Sequence, residues 1–264
     1  MGAVKENYTV VGGGTRTLPS GRYPVRVMHR NRKTASNPKR AGGRVWLYRL
    51  LATIIALVIA FYACSAAALF ALRSMNPPFT AVQAERRIQS WMHQTAYHKR
   101  YVFVPLNRIS MDFQHAVIAA EDSRFYQHHG FDWTEVKNAV EEESEDGRLR
   151  GASTLTQQLV KNLFLSTSRS FVRKGIEFTL VPLAERILGK RRILELYLNV
   201  VEWGPGVWGA EAAAEYHYGI PASRVTRDQG ARLAAILPSP LRRKPARMND
   251  YSAIILERMS KMGW

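Results

Sequence analysis

Between Leu50 and Leu72 the chain carries no charged side chain. The run reads LLATIIALVIAFYACSAAALFAL, and Thr53, Tyr62 and Ser65 are its only clearly polar members. Its 23 residues, wound as an α-helix of ~1.5 Å rise, reach ~35 Å against a bilayer core of ~30 Å. A membrane-spanning helix is therefore the first expectation. Trp46 and Tyr48 stand where an interfacial aromatic belt belongs, and Arg49 and Arg73 bracket the run. A cleaved signal peptide is the competing reading, because Ala66-Ala67-Ala68 resembles a small-residue cleavage site. The basic region before the run is far longer than a signal peptide's n-region, which favours a retained span.

Charge then sets a topology. Residues 1–45 hold ten Lys/Arg against one acid, Glu6, together with Gly12-Gly13-Gly14, Pro19, Pro24 and Pro38. Apolar periodicity is absent there, so the segment reads as a disordered basic tail. A net +9 before the span should keep that side cytoplasmic and place everything after Arg73 outside the cytoplasmic membrane. The organisation expected is a tail over 1–45, a transmembrane helix over 46–73 and one outer domain over 74–264. The whole chain is strongly basic, with 38 Lys+Arg against 21 Asp+Glu and a net charge of +17. Most of the excess lies in the tail: residues 74–264 carry 26 basic and 20 acidic groups, only +6. Topology and anionic lipid account for the charge better than nucleic acid, which is dropped as a partner. The single cysteine, Cys64, excludes an intrachain disulfide and a cysteine-based zinc site.

Helical periodicity dominates the outer domain and strand-like alternation is scarce, so the fold class is mainly α with long loops. Apolar positions predict a helix over Ser110–Ser123. Thr154 and Gln157 form a capping-box pattern opening a helix over Ser153–Leu165, with Leu155, Leu159 and Leu163 as its buried stripe. Phe171–Leu188 reads as a helix with a kink or break expected at Pro182, and Lys190–Val201 as its continuation after Gly189. Gly204-Pro205-Gly206 is a turn, and Ala210–Tyr218, Arg227–Leu237 and Tyr251–Met262 are further helices.

Three segments could carry chemistry. Glu121 and Asp122 end an apolar helix and run into Phe125, His128, His129, Phe131 and Trp133. A carboxylate among aromatics can have a raised pKa and accept or donate a proton; the same spacing also suits a helix-end ion pair with Arg124. Residues 151–162 form a loop entering a helix, where Ser153, Thr154 and the first N–H groups can meet an anion. Gln157, Gln158 and Lys161 can then share a face of that helix; an ordinary capped surface helix fits as well. Arg169, Arg173 and Lys174 surround Glu177, at the i, i+4 and i, i+3 spacings of a solvated ion pair or of an anion site. The acidic run 141–146 reads as a solvated loop face, or more weakly as a metal-attracting patch.

Glu121 through Gly130 (EDSRFYQHHG), Gly151 through Asn162 (GASTLTQQLVKN), Arg173 through Glu177 (RKGIE), Arg192 through Asn199 (RILELYLN) and Gly206 through Ala214 (GVWGAEAAA) occur in order. Together they resemble the five motifs of the peptidoglycan glycosyltransferase family, in its monofunctional, membrane-anchored form. The resemblance covers about residues 100–245 and departs once, with His217-Tyr218 where the family usually has Tyr-Phe. It implies a lysozyme-like helical domain with a membrane-proximal jaw. It also implies polymerisation of lipid II, a disaccharide-pentapeptide on undecaprenyl pyrophosphate, into β-1,4-linked glycan. On this resemblance Glu121 is the general base and Glu177 the second catalytic glutamate. Lys161, Arg169, Arg173 and Lys174 bind the donor diphosphate, and Ser153, Thr154, Gln157, Gln158 and Asn199 are supporting or substrate-binding positions. A divalent cation, Mg2+ or Mn2+, is implied as cofactor, with Asp122 the weak candidate ligand. Lipid II, the growing glycan, the membrane and cell-wall synthesis or division proteins are the partners implied.

A glycan-cleaving hydrolase or lytic transglycosylase would also need a glutamate, acting as an acid on a poor leaving group. It has no use for a diphosphate-binding cluster, so the cations favour synthesis. A non-catalytic membrane scaffold would not need both glutamates and the basic set. The short stretch after the matched region leaves the expectation that this chain carries no transpeptidase.

Overall fold

A computed structural model of the chain describes residues 39–146, 153–168 and 170–264. Most of the expected tail lies outside them, as do Gly151, Ala152 and Arg169 of the motifs. The chain divides into two compact units, Met1–Leu50 and Leu51–Trp264. Of the first unit, the described part is the opening of helix α1.

Helix α1 (Lys39–Ala71) is 33 residues long, and its portion Arg44–Ala71 is the one described helix long and apolar enough to cross a membrane. Leu57 and Ile59 stand exposed on it, whereas Leu69, about three turns further on, is fully buried. Leu69 packs with Val160, Leu180 and Val181, and Tyr62 shares a 2.6 Å hydrogen bond between hydroxyls with Thr179. The chain leaves α1 through Asn76-Pro77-Pro78, where proline removes backbone donors and stiffens the link. Arg192 pins this exit, donating to the carbonyls of Leu72 at 2.7 Å and Met75 at 2.6 Å.

The globular part is helical, as expected. Helix α2 (Ala81–Met92) is amphipathic and opens on Thr80, whose hydroxyl accepts from Gln83 N. Helix α3 (Met111–Glu121) opens on Ser110, which accepts from Phe113 N, and ends where Asp122 turns out of helical conformation at φ −161°. Helices α4 (Trp133–Asp146) and α5 (Leu155–Phe164) follow. The expected capping box of α5 is present in both directions between Thr154 and Gln157. Leu155 and Leu159 are fully buried, a contribution of about 1.5–3 kcal/mol each. Helix α6 (Phe171–Val200) runs unbroken through Pro182; its break falls at Gly189, with φ 72° and ψ 160°. Pro182 stands on an exposed face where its missing N–H is tolerated, while a left-handed φ suits only glycine.

Helices α7 (Ala210–Tyr218), α8 (Arg227–Ile236) and α9 (Asn249–Lys261) complete the bundle. A small sheet joins β1 (Arg100–Tyr101), β2 (Glu202–Gly204) and β3 (Val207–Trp208) in the order β1-β3-β2. Strand β3 pairs parallel with β1 and antiparallel with β2. The turn at Gly206 needs glycine: φ is +73°, and a Cβ there would lie 2.4 Å from the His98 carbonyl oxygen. The core is α3, α5, the second half of α6 and α8, with Phe113, Tyr197, Trp203 and Trp208 fully buried. Gly230 of α8 sits against the backbone of Phe113, so these two helices approach closely and fix the end of α3 where Glu121 stands.

Candidate active site

Glu121 is the last residue of α3. The next residue, Asp122, fixes its direction. One Asp122 oxygen accepts from the backbone N–H of Leu155 at 2.9 Å, an otherwise orphaned donor at the start of α5. The other meets His128 Nε2 at 2.8 Å. Because His128 Nδ1 accepts from Gly130 N at 3.2 Å, the ring proton lies on Nε2 and is donated to Asp122. The two helix ends are thereby tied together, and Glu121 is set over the second turn of α5.

There Gln158 Nε2 donates to Glu121 Oε2 at 2.7 Å. The amide is oriented from behind: Tyr197 donates its hydroxyl to Gln158 Oε1 at 2.9 Å. Burial, with the charges of Glu121 and Asp122, holds the Tyr197 phenol well above its ordinary pKa, so it stays a donor. Glu121 itself is half-buried at the cleft surface and ringed by protein atoms. Desolvation pushes its pKa up, while the Gln158 hydrogen bond and the positive charges of Lys161 and Arg243 hold it down. That balance suits a carboxylate that must take a proton and release it.

Glu177, in the second turn of α6, is only 3% exposed. Arg173 Nη1 reaches one of its oxygens at 2.7 Å and Lys174 Nζ the other at 2.5 Å. Arg173 Nε also donates to the Ser168 carbonyl at 2.7 Å, and Lys174 Nζ lies 3.5 Å from Ser153 Oγ. Lys161 lies between the two glutamates electrostatically: burial lowers its pKa, and the charges of Glu177 and Glu121 both raise it. Lys174 thus reaches toward Ser153, and Ser153 and Gln158 line a cavity of about 710 Å³ together with Glu121.

Other expected positions serve the fold. Thr154 and Gln157 are buried in the α5 capping box, and Thr154 Oγ1 donates to the Gly130 carbonyl at 2.7 Å. Asn199 is fully buried; its amide accepts from Val104 N at 2.8 Å and donates to Val104 O at 2.9 Å and Glu195 O at 2.8 Å. It clamps the strand-like segment before α3 and has no atom left for substrate, so the substrate-binding expectation for it is corrected. Arg169 lies outside the described residues. Sequence reasoning missed Tyr197, although it stands inside the fourth motif, and Arg243, which follows a Pro-Leu-Arg turn with no pattern of its own.

Asp122, His128 and Asp132 bring ligand-type atoms within 4.8 Å of one another, but they do not fit a resident metal. Both Asp122 oxygens and both His128 nitrogens are committed as above. Asp132 accepts from Thr134 N and Glu135 N with one oxygen and faces Arg124 Nε at 3.5 Å with the other. Glu177 is likewise closed by Arg173 and Lys174. Asp122 is thus an orienting carboxylate.

The family model for Transglycosylase matches residues 87–260, which contain every side chain of this site. The biosynthetic peptidoglycan transglycosylase of Pseudomonas entomophila is 43% identical over 218 residues, covering 83% of this chain and 90% of that protein. That of Pseudomonas putida (strain W619) is 44% identical over the same length and coverage, and that of Pseudomonas aeruginosa 42% over 207 residues, 77% of this chain and 89% of the relative. With the paired glutamates, their separate partners and this similarity in hand, the chain belongs to the transglycosylase family.

Proposed function

We propose that the chain polymerises lipid II, with Glu121 and the Glu177 cation cluster dividing the work. The 4-hydroxyl of the incoming GlcNAc gives its proton to the Glu121 carboxylate as its oxygen bonds the anomeric carbon of the growing strand. The bond from that carbon to the lipid diphosphate breaks on the opposite face, and the diphosphate leaves with the electron pair. Inversion yields the β-1,4 linkage. A sugar alcohol does not ionise at neutral pH, so base assistance is worth about 10²–10⁴-fold. Lys161, Arg173, Lys174 and Arg169 receive the developing negative charge, a preorganised stabilisation worth about 10²–10³-fold per donor. Glu177 holds Arg173 and Lys174 in register. Gln158 and Tyr197 aim the base, and Ser153 links the two halves.

The single observation that carries this reading is the pairing of a desolvated Glu121 with Glu177 closed by two cations, both under the field of Lys161. A glycan-cleaving enzyme would have no role for the second half. A divalent ion, Mg2+ or Mn2+, is compatible with this reading as a companion of the lipid diphosphate, not as a group held by the chain. Residues 46–73 anchor the enzyme in the inner membrane beside a substrate whose lipid tail lies there, with the basic tail cytoplasmic and the catalytic domain periplasmic. Cell-wall synthesis or division proteins are the partner class this placement suits. The test is incubation of the full chain with lipid II, with and without chelator, and separately with finished glycan. Glycan growth with release of undecaprenyl diphosphate is expected; shortening of glycan without use of lipid II would overturn the reading.

A further inference from the structure

The cavity beside Glu121 has a wall whose only part in the chemistry above is the field of Arg243 on Glu121. Arg243 and Arg258 stand there with Tyr251, and Lys261 is at the edge. Lys261 pairs with Glu257 at 2.7 Å on open surface, which leaves the two arginines to define the wall. Neither has a carboxylate at ion-pair distance among the described residues. Arg243 donates one Nη1 hydrogen bond to the Ala235 carbonyl at 2.9 Å, and its guanidinium lies 5.5 Å from the Tyr251 ring centroid. Arg258 donates through Nη1 to the Ala119 carbonyl at 3.5 Å. A guanidinium has five N–H donors in a planar fork. Each arginine is therefore anchored by one of them, with no carboxylate in direct contact among the described residues, on a concave surface shared with Glu121, Asp122, Asp132 and Glu135.

A fixed, half-buried guanidinium is suited to receiving a carboxylate in bidentate fashion. The substrate assigned above carries two kinds of anion. Its diphosphate already has Lys161, Arg173 and Lys174. Its pentapeptide ends in a free carboxylate, and no residue discussed so far receives it. We propose that Arg243 and Arg258 bind the carboxylate-bearing peptide stem of the sugar unit that sits at Glu121. This rests on the lipid II reading and adds to it the part of the substrate that selects a peptide-bearing sugar. The competing use of the arginines is as cations at the last turns of α8 and α3, where Ala235 and Ala119 lie.

Steady-state polymerisation by the full chain in detergent separates these uses. Arg258→Ala is the cleaner probe, because Arg243 also acts on the charge of Glu121. Arg258→Ala should raise KM for lipid II about tenfold, and Arg258→Lys should raise it less. On lipid II with amidated peptide carboxylates, the unaltered chain should already show the raised KM, and the substitution should add nothing. A tenfold loss that persists on lipid-linked disaccharide lacking the peptide would assign the arginines to diphosphate or sugar and overturn the proposal. A lowered thermal midpoint with KM unchanged would reduce them to helix caps and also overturn it. Binding of soluble disaccharide-pentapeptide, free of lipid and diphosphate, reads the wall without turnover. Peptide binding weakened by Arg258→Ala in a chain that does not consume lipid II would keep the wall and sink the polymerase reading.

Discussion

Glu121 and Glu177 are the same side chain, both felt by the charge of Lys161, yet they share no hydrogen-bond partner. Glu121 is held by a neutral amide, Gln158, which is held in turn by a neutral phenol, Tyr197. Glu177 is held by two cations, one on each oxygen. Desolvation without a contacting cation raises a carboxyl's proton affinity, as at Glu121, whereas Glu177 has a cation against each oxygen. The neighbours therefore separate a proton acceptor from a charge-positioning group, as in other sites where two carboxyls divide acid–base and electrostatic work. Lys161 feels both carboxylates, and on the proposed reading this keeps the base and the leaving-group cradle in one electrostatic unit.

The largest test of that contrast is a pair of amide substitutions. Glu121→Gln keeps the shape and the contact to Gln158 but removes the base, so kcat should fall about 10²–10⁴-fold with lipid II binding retained. Glu177→Gln leaves the base intact and frees Arg173 and Lys174. It should raise KM as well as lower kcat, and destabilise the domain by about 1–3 kcal/mol, since one partner of a buried pair is lost while the cations remain partly solvated. Stopped-assay kinetics with thermal scans would check both. Matching kinetic defects in the two variants would dissolve the division of labour.

The parts of this arrangement that were legible in the sequence are those set by local spacing. Glu121 closes an apolar run, Thr154 and Gln157 write a capping box, and Arg173, Lys174 and Glu177 fall one helical turn apart. What local spacing could not carry is which elements meet. Tyr197 matters because the end of α6 lies under α5, and Arg258 because α9 lies along α3. The strands are two or three residues long, too short for alternation to register. Asn199 and Asp122 have the chemistry of ligands, and only their filled hydrogen bonds reveal them as a clamp and a tie. Proline at 182 looked like the break in α6, but backbone sterics place it at Gly189, where φ is positive.

A smaller effect tests the neutral side of the contrast. Tyr197→Phe removes the hydroxyl that fixes Gln158 and touches nothing that reacts, so Tyr197 is a positioning residue. Without it the Gln158 amide can turn its oxygen toward Glu121, removing a hydrogen bond that favours the charged form. The expected outcome is a kcat/KM lower by about tenfold. The acid limb of the pH profile of the unaltered chain should lie above that of an ordinary glutamate, because burial raises the Glu121 pKa. It should move further up in the variant, since the base must be ionised to act. A fall in rate with the limb unmoved would make Tyr197 a packing residue only.

The smallest effect is on stability, and its sign is set by the same burial. A glutamate whose pKa is raised on folding holds its proton more tightly in the native state than in the unfolded chain. As pH rises from the ordinary glutamate range through the raised value, the unfolded chain ionises first and native stability declines. Above that window the deficit is constant, and glutamine does not incur it. Glu121→Gln should therefore melt higher than the unaltered chain at neutral pH, by about 2–4 °C, and the gap should close below the ordinary glutamate range. Thermal scans of the detergent-solubilised chain at both pH values measure it. Glu177→Gln should move the midpoint downward at neutral pH, because its carboxylate is stabilised by cations where that of Glu121 is strained by burial. Two glutamates that respond in the same direction would mean that their environments do not differ in the way the hydrogen bonds imply.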